Sequence, residues 1–221
     1  MSKFENKIIQ GDCIEEMKKL QDNSIDAIIT DPPYGVLNKG KNMRNGKEDK
    51  FDWDNITDLE KFTNDWFKEA YKKLKDNSFM FVFWSQKYLN LGIKIFNPRR
   101  VIFWRYNNLI NNPSGDFAYD YEPIFVIKKG NPKLSKGKNS CDLEFTKPQS
   151  NFKKNKLIHP TQKPLELLKH LVDISTKEND LVLDCFAGSG TTGVACKELN
   201  RKYILIEKDK EYFKLMEKRL K

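Results

Sequence analysis

Asp31-Pro32-Pro33-Tyr34 is the stretch whose residue types are best suited to chemistry. An exocyclic aromatic amine is a poor nucleophile, because its lone pair is delocalised into the ring, and it needs acceptors for its two hydrogens before it can attack. The Asp31 carboxylate suits one N–H. The main-chain carbonyl of Pro32 suits the other, its direction held by the restricted backbone of Pro32 and Pro33. Drawing out both hydrogens favours a pyramidal nitrogen. Tyr34 offers a flat face on which an extruded base can stack, worth about 1–3 kcal/mol by analogy with other base–aromatic contacts. Each residue alone would be ordinary in a turn that ends a strand, but the four together fit that bland role poorly.

A second constellation runs from Leu181 to Asp209. An apolar strand ends at Asp184 and enters Phe186-Ala187-Gly188-Ser189-Gly190, where the glycines permit a sharp turn and close backbone approach to a ligand before a helix starts. Glu207 closes the next strand, where a carboxylate can accept hydrogen bonds from both hydroxyls of a ribose. A bare GxG is weak evidence, but a correctly placed acid at the following strand end favours a nucleoside ligand. With Gly193 the spacing also permits a dinucleotide, so the spacing alone leaves the cofactor open.

The elements that must position these residues alternate between strand-like and helix-like, as in a parallel sheet covered by helices. Strands are expected at Lys7–Gln10, Ser24–Thr30, Phe79–Trp84, Arg100–Tyr106, Glu122–Lys128, Leu181–Cys185 and Tyr203–Ile206. Helices are expected at Ile14–Leu20, Thr57–Leu74, Gln86–Phe96, Leu165–Ser175, Thr191–Leu199 and Lys210–Leu220. Asp76-Asn77 reads as the stop of the second helix, and the Arg100 and Glu122 strands as an antiparallel pair. Residues 36–54 and 129–155 lack periodicity and read as loop or inserted segment.

Composition narrows the function classes. The 221 residues suffice for one compact domain with a real core, and 38% apolar with 12% aromatic residues argue against disorder. The longest apolar runs span a handful of residues, where a membrane helix needs about 20, so no membrane partner is expected. The first ten residues lack the apolar stretch of a secretory signal, which makes a cytoplasmic location the expectation. Cys13, Cys141, Cys185 and Cys196 form no CxxC pair, so reduced structural thiols and no metal site are expected.

Forty basic against thirty-one acidic residues give a net charge of +9, which a general lysine bias could produce, since only six of the forty are arginine. Its distribution is more telling. Residues 128–158 hold nine lysines and two acids, residues 36–50 five basic and two acidic residues, and the remainder carries one excess acid. One segment directly follows Asp31 to Tyr34 and the other directly precedes His159-Pro160-Thr161-Gln162-Lys163-Pro164, so Lys39, Lys41, Arg44, Lys47, Lys133, Lys136, Lys138, Lys153 and Lys154 are candidates for phosphate contacts along a duplex.

Taken together, Asp31 to Tyr34, the Asp184, Phe186 and Ser189-Gly190-Thr191-Thr192 loop, Gly11-Asp12-Cys13, Trp53-Asp54 and His159-Pro160-Thr161-Gln162-Lys163-Pro164 resemble the amino-methyltransferases that methylate adenine N6 or cytosine N4 in DNA. The resemblance is to the β group, in which the target-base motif precedes the cofactor motif. It implies an α/β Rossmann-like fold with a mostly parallel sheet, one antiparallel edge strand and a circularly permuted motif order. It implies S-adenosyl-L-methionine as cofactor, bound by Asp12, Cys13, Asp31, His159, Thr161, Gln162, Lys163, Asp184, Phe186, Gly188, Ser189, Gly190, Thr191, Thr192 and Glu207. Asp31, Pro32, Pro33 and Tyr34 would be catalytic.

By the same resemblance, residues 1–128 form a target-base half, 129–158 a small basic target-recognition insertion and 159–221 a cofactor half of one domain. Its partners would be double-stranded DNA, a second copy of the chain and a cognate restriction endonuclease. Asp31 at the head of the motif matches the adenine-directed version, so base flipping and transfer to adenine N6 is the leading expectation. Cytosine-N4 or RNA-adenine methylation and a non-catalytic DNA-binding regulator are the alternatives. C5-cytosine chemistry is set aside, because it needs a thiolate usually presented by a Pro-Cys pair, and no cysteine here follows a proline.

Overall fold

The structure is a computed structural model and describes residues 6–35, 43–44, 47–48, 56–105, 120–134, 142–145 and 162–221. Its elements are β1 (Lys7–Gln10), α1 (Cys13–Lys18), β2 (Ile25–Thr30), β3 (Met43–Arg44), β4 (Lys47–Glu48), α2 (Leu59–Lys73), β5 (Leu74–Phe83), α3 (Leu89–Phe96), β6 (Arg100–Arg105), β7 (Tyr121–Lys129), β8 (Asp142–Glu144), α4 (Leu165–Ser175), β9 (Leu181–Asp184), α5 (Thr191–Glu198), β10 (Lys202–Glu207) and α6 (Lys210–Leu220). Eight strands form one sheet in the order β1-β10-β9-β2-β5-β7-β6-β8. The run from β1 to β5 is parallel throughout, and β8 lies parallel to β6.

The single reversed strand, β7, runs antiparallel to both β5 and β6. The antiparallel strand therefore lies inside the sheet, whereas the resemblance implied an antiparallel strand at the edge. Leu143 on β8 is buried, and Trp104 Nε1 donates to the Phe145 carbonyl at 2.8 Å, which fixes β8 as the true edge. Three residues are too few to show a period, so this strand was invisible in the 129–155 segment.

Strand alternation divides the core into two layers. On β5, Phe79, Phe81 and Phe83 face one layer with Leu167, Leu171, Met216 and Leu220 from α4 and α6. Met80 and Val82 of β5, with Trp84 just after it, face the other with Met17, Trp66 and Phe96 from α1, α2 and α3. The sheet is thus covered on both faces, which is what near-continuous apolar strands such as Ile25–Thr30 require.

Two further departures have local causes. Helix α2 stops at Lys73, and Asp76-Asn77 lies within β5, where Asn77 adopts φ +60° and the register against β2 shifts from Leu74↔Ile25 to Phe79↔Ala27. Asparagine tolerates the left-handed region, so the dipeptide makes an irregularity in the strand and not a helix stop. β3 and β4 pair Met43 with Glu48 and Arg44 with Lys47 inside the stretch read as loop. The two residues between them in sequence are Asn45-Gly46, the dipeptide favoured in two-residue hairpins.

Candidate active site

Five parallel strands deliver their C-terminal ends to one edge of the sheet, where open α/β sheets bind ligands. Reading across, Asp12 follows β1, Glu207 ends β10, Asp184 ends β9, Asp31 follows β2 and Trp84 follows β5. The two constellations, separated by some 150 residues of chain, thus become neighbours. The chain turns one way from β2 to β5 and the other way from β9 to β10. The crevice between β9 and β2 is therefore the topological switch point.

Asp184 is buried and holds the turn together. Its Oδ1 accepts from Thr30 Oγ1 at 2.9 Å and from the Phe186 N–H at 3.1 Å, and its Oδ2 accepts from Thr192 Oγ1 at 2.6 Å. Burial raises its pKa to about 6, outweighing the three donors, which favour the ionised form. A carboxyl raised in the folded state contributes stability that is full below its unfolded value and is lost as pH rises through the folded one. Between pH 4 and pH 7 the wild type should therefore lose on the order of 2–3 kcal/mol relative to Asp184→Asn, which cannot titrate. Denaturant unfolding of both proteins across that range checks this, and parallel pH profiles would contradict it.

Glu207 is also buried. Its Oε2 accepts from the Gly188 N–H and its Oε1 from the Asp209 N–H, both at 2.7 Å. Burial raises its pKa, with those two N–H groups opposing. Each oxygen retains a lone pair for a ligand hydroxyl. Gly188 and Gly190 both have positive φ, +50° and +75°, and a Cβ on Gly190 would lie 2.7 Å from Met216 Cγ. At Gly193 a Cβ would lie 2.5 Å from Leu205 Cδ1, so this third glycine lets α5 pack close on β10.

Ser189, Thr191 and Thr192, expected at the cofactor, are buried and engaged within the protein. Arg219 donates to the Ser189 carbonyl at 3.1 Å, to Ser189 Oγ at 3.2 Å and to Thr191 Oγ1 at 2.9 Å, while Thr192 serves Asp184. Their side chains shape the loop from behind. Phe186 packs on Trp66 at a centroid distance of 5.4 Å and on Phe62 at 6.0 Å.

Asp12 caps α1, accepting from the Ile14 N–H at 3.0 Å, and its other oxygen lies 3.4 Å from Lys208 Nζ. Cys13 is buried beside it. Cys13, Cys185 and Cys196 are free thiols; burial pushes Cys185 up to about 12 and the other two upward as well, so none is a reactive thiolate. Cys141 lies outside the described residues, among which no cluster of metal-ligating side chains occurs.

At the target end, Asp31 Oδ2 is 2.6 Å from Lys163 Nζ, and its Oδ1 accepts from the Tyr34 hydroxyl. The Tyr34 ring meets Trp84 edge-on at 5.3 Å. Pro32 is buried and Pro33 partly so, while Gly35 turns the chain away at φ +66°. Lys163 sits just before α4, with Pro164 at the cap position, and its Nζ is also 2.9 Å from Glu122 Oε1. The two carboxylates raise its pKa further above the ordinary lysine value, despite burial, which acts the other way.

Gln162 is partly buried next to Lys163, and Lys133 is exposed. His159 and Thr161, and Lys39, Lys41, Lys136, Lys138, Lys153 and Lys154, lie outside the described residues; Arg44 and Lys47 lie on β3 and β4.

Glu122, Thr30 and Arg219 are site residues that neither residue type nor spacing singles out in the sequence. Glu122 left a trace, an acid beside Pro123 at the head of an otherwise apolar run; Arg219 left none, being one of several basic residues in an amphipathic helix.

Comparison with known proteins agrees with this geometry. A family model described as DNA methylase, of the N6/N4 methyltransferases, matches residues 25–218. Type II methyltransferase M2.MboI of Moraxella bovis is 35% identical over 240 residues, covering 96% of this chain and 86% of the relative. Type II methyltransferase M.HinfI of Haemophilus influenzae is 32% identical, covering 99% and 69%. The crystal structure of the M1.HpyAVI–SAM complex superposes with a TM-score of 0.73 at 30% identity, covering 97% of this chain and 98% of that one. The cytosine-N4-specific PvuII DNA methyltransferase shares the fold, with a TM-score of 0.71 at 19% identity.

Proposed function

The chain belongs to the N6/N4 DNA methylase family, and from that premise we propose that it transfers a methyl group from S-adenosyl-L-methionine to adenine N6 in duplex DNA. The observation that carries this reading is the position of Asp31, a carboxylate at the end of β2 directly across the switch-point crevice from the Asp184 to Gly190 turn.

The residues present fit the cofactor: Glu207 has acceptors for ribose hydroxyls, the Gly188 and Gly190 turn lets backbone approach closely, and Asp12 and Phe186 flank it. When bound, the cofactor supplies a methyl group activated on sulfonium sulfur. Asp31 and the Pro32 carbonyl accept the two N–H bonds of the flipped base, holding its nitrogen lone pair toward the methyl group. Methyl transfer would leave the electron pair of the broken sulfur–methyl bond on sulfur and positive charge on the nitrogen; the Asp31 carboxylate faces that charge and takes up the N–H proton that the nitrogen sheds. Tyr34 stacks the base, with Trp84 fixing the angle of its ring. By family resemblance, a carboxylate and not a hydroxyl at the head of this motif supports adenine over cytosine.

The lysine-rich sequences of segments 36–50 and 129–158 are assigned to phosphate contacts with the duplex, the latter segment as target-recognition insertion. A cognate endonuclease and a second copy of the chain are the protein partners assigned on family resemblance, and the cytoplasm is the assigned location. Among the described residues no helix is long and apolar enough to cross a membrane.

Incubation with labelled S-adenosyl-L-methionine and mixed-sequence duplex DNA should label the DNA but not RNA. DNA affinity should fall by about tenfold or more between 50 mM and 200 mM salt if several lysines contact phosphates. Labelling of RNA alone, or affinity indifferent to salt, would overturn this reading.

A further inference from the structure

Lys163 joins three elements that the fold brings to one point: Asp31 after β2, Glu122 on β7 and the approach to α4. Its side chain is only 10% exposed, so its ammonium depends on the partners beside it. One of its hydrogens serves Asp31 Oδ2 at 2.6 Å, its nitrogen is in ion-pair contact with the buried Glu122 Oε1 at 2.9 Å, and it stands 5.0 Å from the Phe83 ring centroid. Asp31 is thereby held at both oxygens, by Lys163 and by Tyr34, before any base arrives.

A lysine paired with Asp31 alone would cancel its charge and weaken it as an acceptor for an amine that becomes positive in the transition state. A second carboxylate on the same ammonium changes that balance. The trio carries a net charge of −1, and the share of Lys163 drawn by Glu122 leaves Asp31 negative toward the incoming amine.

We propose that Glu122 and Lys163 are positioning residues for methyl transfer, Lys163 fixing the direction of the Asp31 carboxylate and Glu122 keeping it an effective acceptor. This assigns Lys163 to the target amine and not to the cofactor. It rests on the reading of Asp31 as the amine acceptor, but it holds for any aromatic amine, adenine or cytosine.

The test is a charge cycle in the full chain, measured as kcat with labelled S-adenosyl-L-methionine and duplex DNA, alongside cofactor titration and thermal melting. Glu122→Gln, nearly isosteric, leaves the trio neutral and should lower kcat by about 10- to 100-fold while cofactor affinity stays within about twofold. Lys163→Gln leaves two facing carboxylates and should also lower it. The double variant restores the net charge of −1 and should turn over faster than Glu122→Gln alone, an inversion that lost packing would not produce.

A Glu122→Gln protein with wild-type kcat, a loss appearing in cofactor affinity instead, or a double variant slower than both singles would each overturn the proposal. A wild-type protein that methylates no amine in the same assay would instead show that the functional reading itself fails, and this role would fall with it. Melting temperatures and cofactor titration identify any variant that merely misfolds, and the remaining pairs of the cycle then decide.

Discussion

Asp31→Ala should abolish methyl transfer, lowering kcat by about 10³-fold or more, while S-adenosyl-L-methionine still binds within about threefold of its normal affinity. The carboxylate is the only charged acceptor that the Asp31 to Tyr34 motif offers the amine, so its removal strikes the transition state and not the ground-state complex. The fold should survive. Asp31 lies beyond the last hydrogen-bonded residue of β2, it is only partly buried, and Lys163 keeps Glu122 at 2.9 Å when Asp31 is gone. Isothermal titration with the cofactor and a filter-binding transfer assay separate the two effects. Normal turnover in Asp31→Ala would contradict the assigned role, and so would a loss of turnover matched by a loss of cofactor binding.

Glu207→Ala should show the opposite division. Two charge-assisted hydrogen bonds to ribose hydroxyls are worth about 1.5–3 kcal/mol each before the losses of ordering, so the cofactor dissociation constant should rise by about 10²-fold. The turn loses support as well, because Glu207 also holds the N–H groups of Gly188 and Asp209, both at 2.7 Å. Glu207→Gln, which keeps one acceptor oxygen, should fall between the two. At saturating cofactor the turnover of Glu207→Ala should approach that of the wild type, because Glu207 lies two strands away from Asp31 in the sheet. Calorimetry gives the dissociation constants directly. Unchanged affinity in Glu207→Ala would remove the ribose assignment.

Much of this site could be read in the chain. The strand ending at Thr30, the helix Leu165–Ser175 and the strand ending at Asp184 are strongly patterned, and each motif follows a strand whose apolar run stops abruptly. What could not be read is long-range. Nothing local tells that β7 inserts between β5 and β6, because an antiparallel strand and an edge strand carry the same alternation. Ser189 and Thr191 were expected at the cofactor from the resemblance of their loop, and the residue their hydroxyls meet within the protein, Arg219, is 28 to 30 residues away. Asp76-Asn77 was legible as a break in regularity but not as one inside a strand. Glu122 escaped for the plainest reason: its partner Lys163 is brought to it only by the packing of α4 against the sheet.

Adenine N6 is the amine assigned to Asp31. Mixed-sequence duplex DNA, methylated by the wild-type protein with labelled S-adenosyl-L-methionine and digested to nucleosides, can be resolved by chromatography and mass spectrometry. All of the label should appear in N6-methyladenine. Label in N4-methylcytosine alone, or none in DNA while the cofactor still binds, would overturn the assignment of adenine N6 to Asp31.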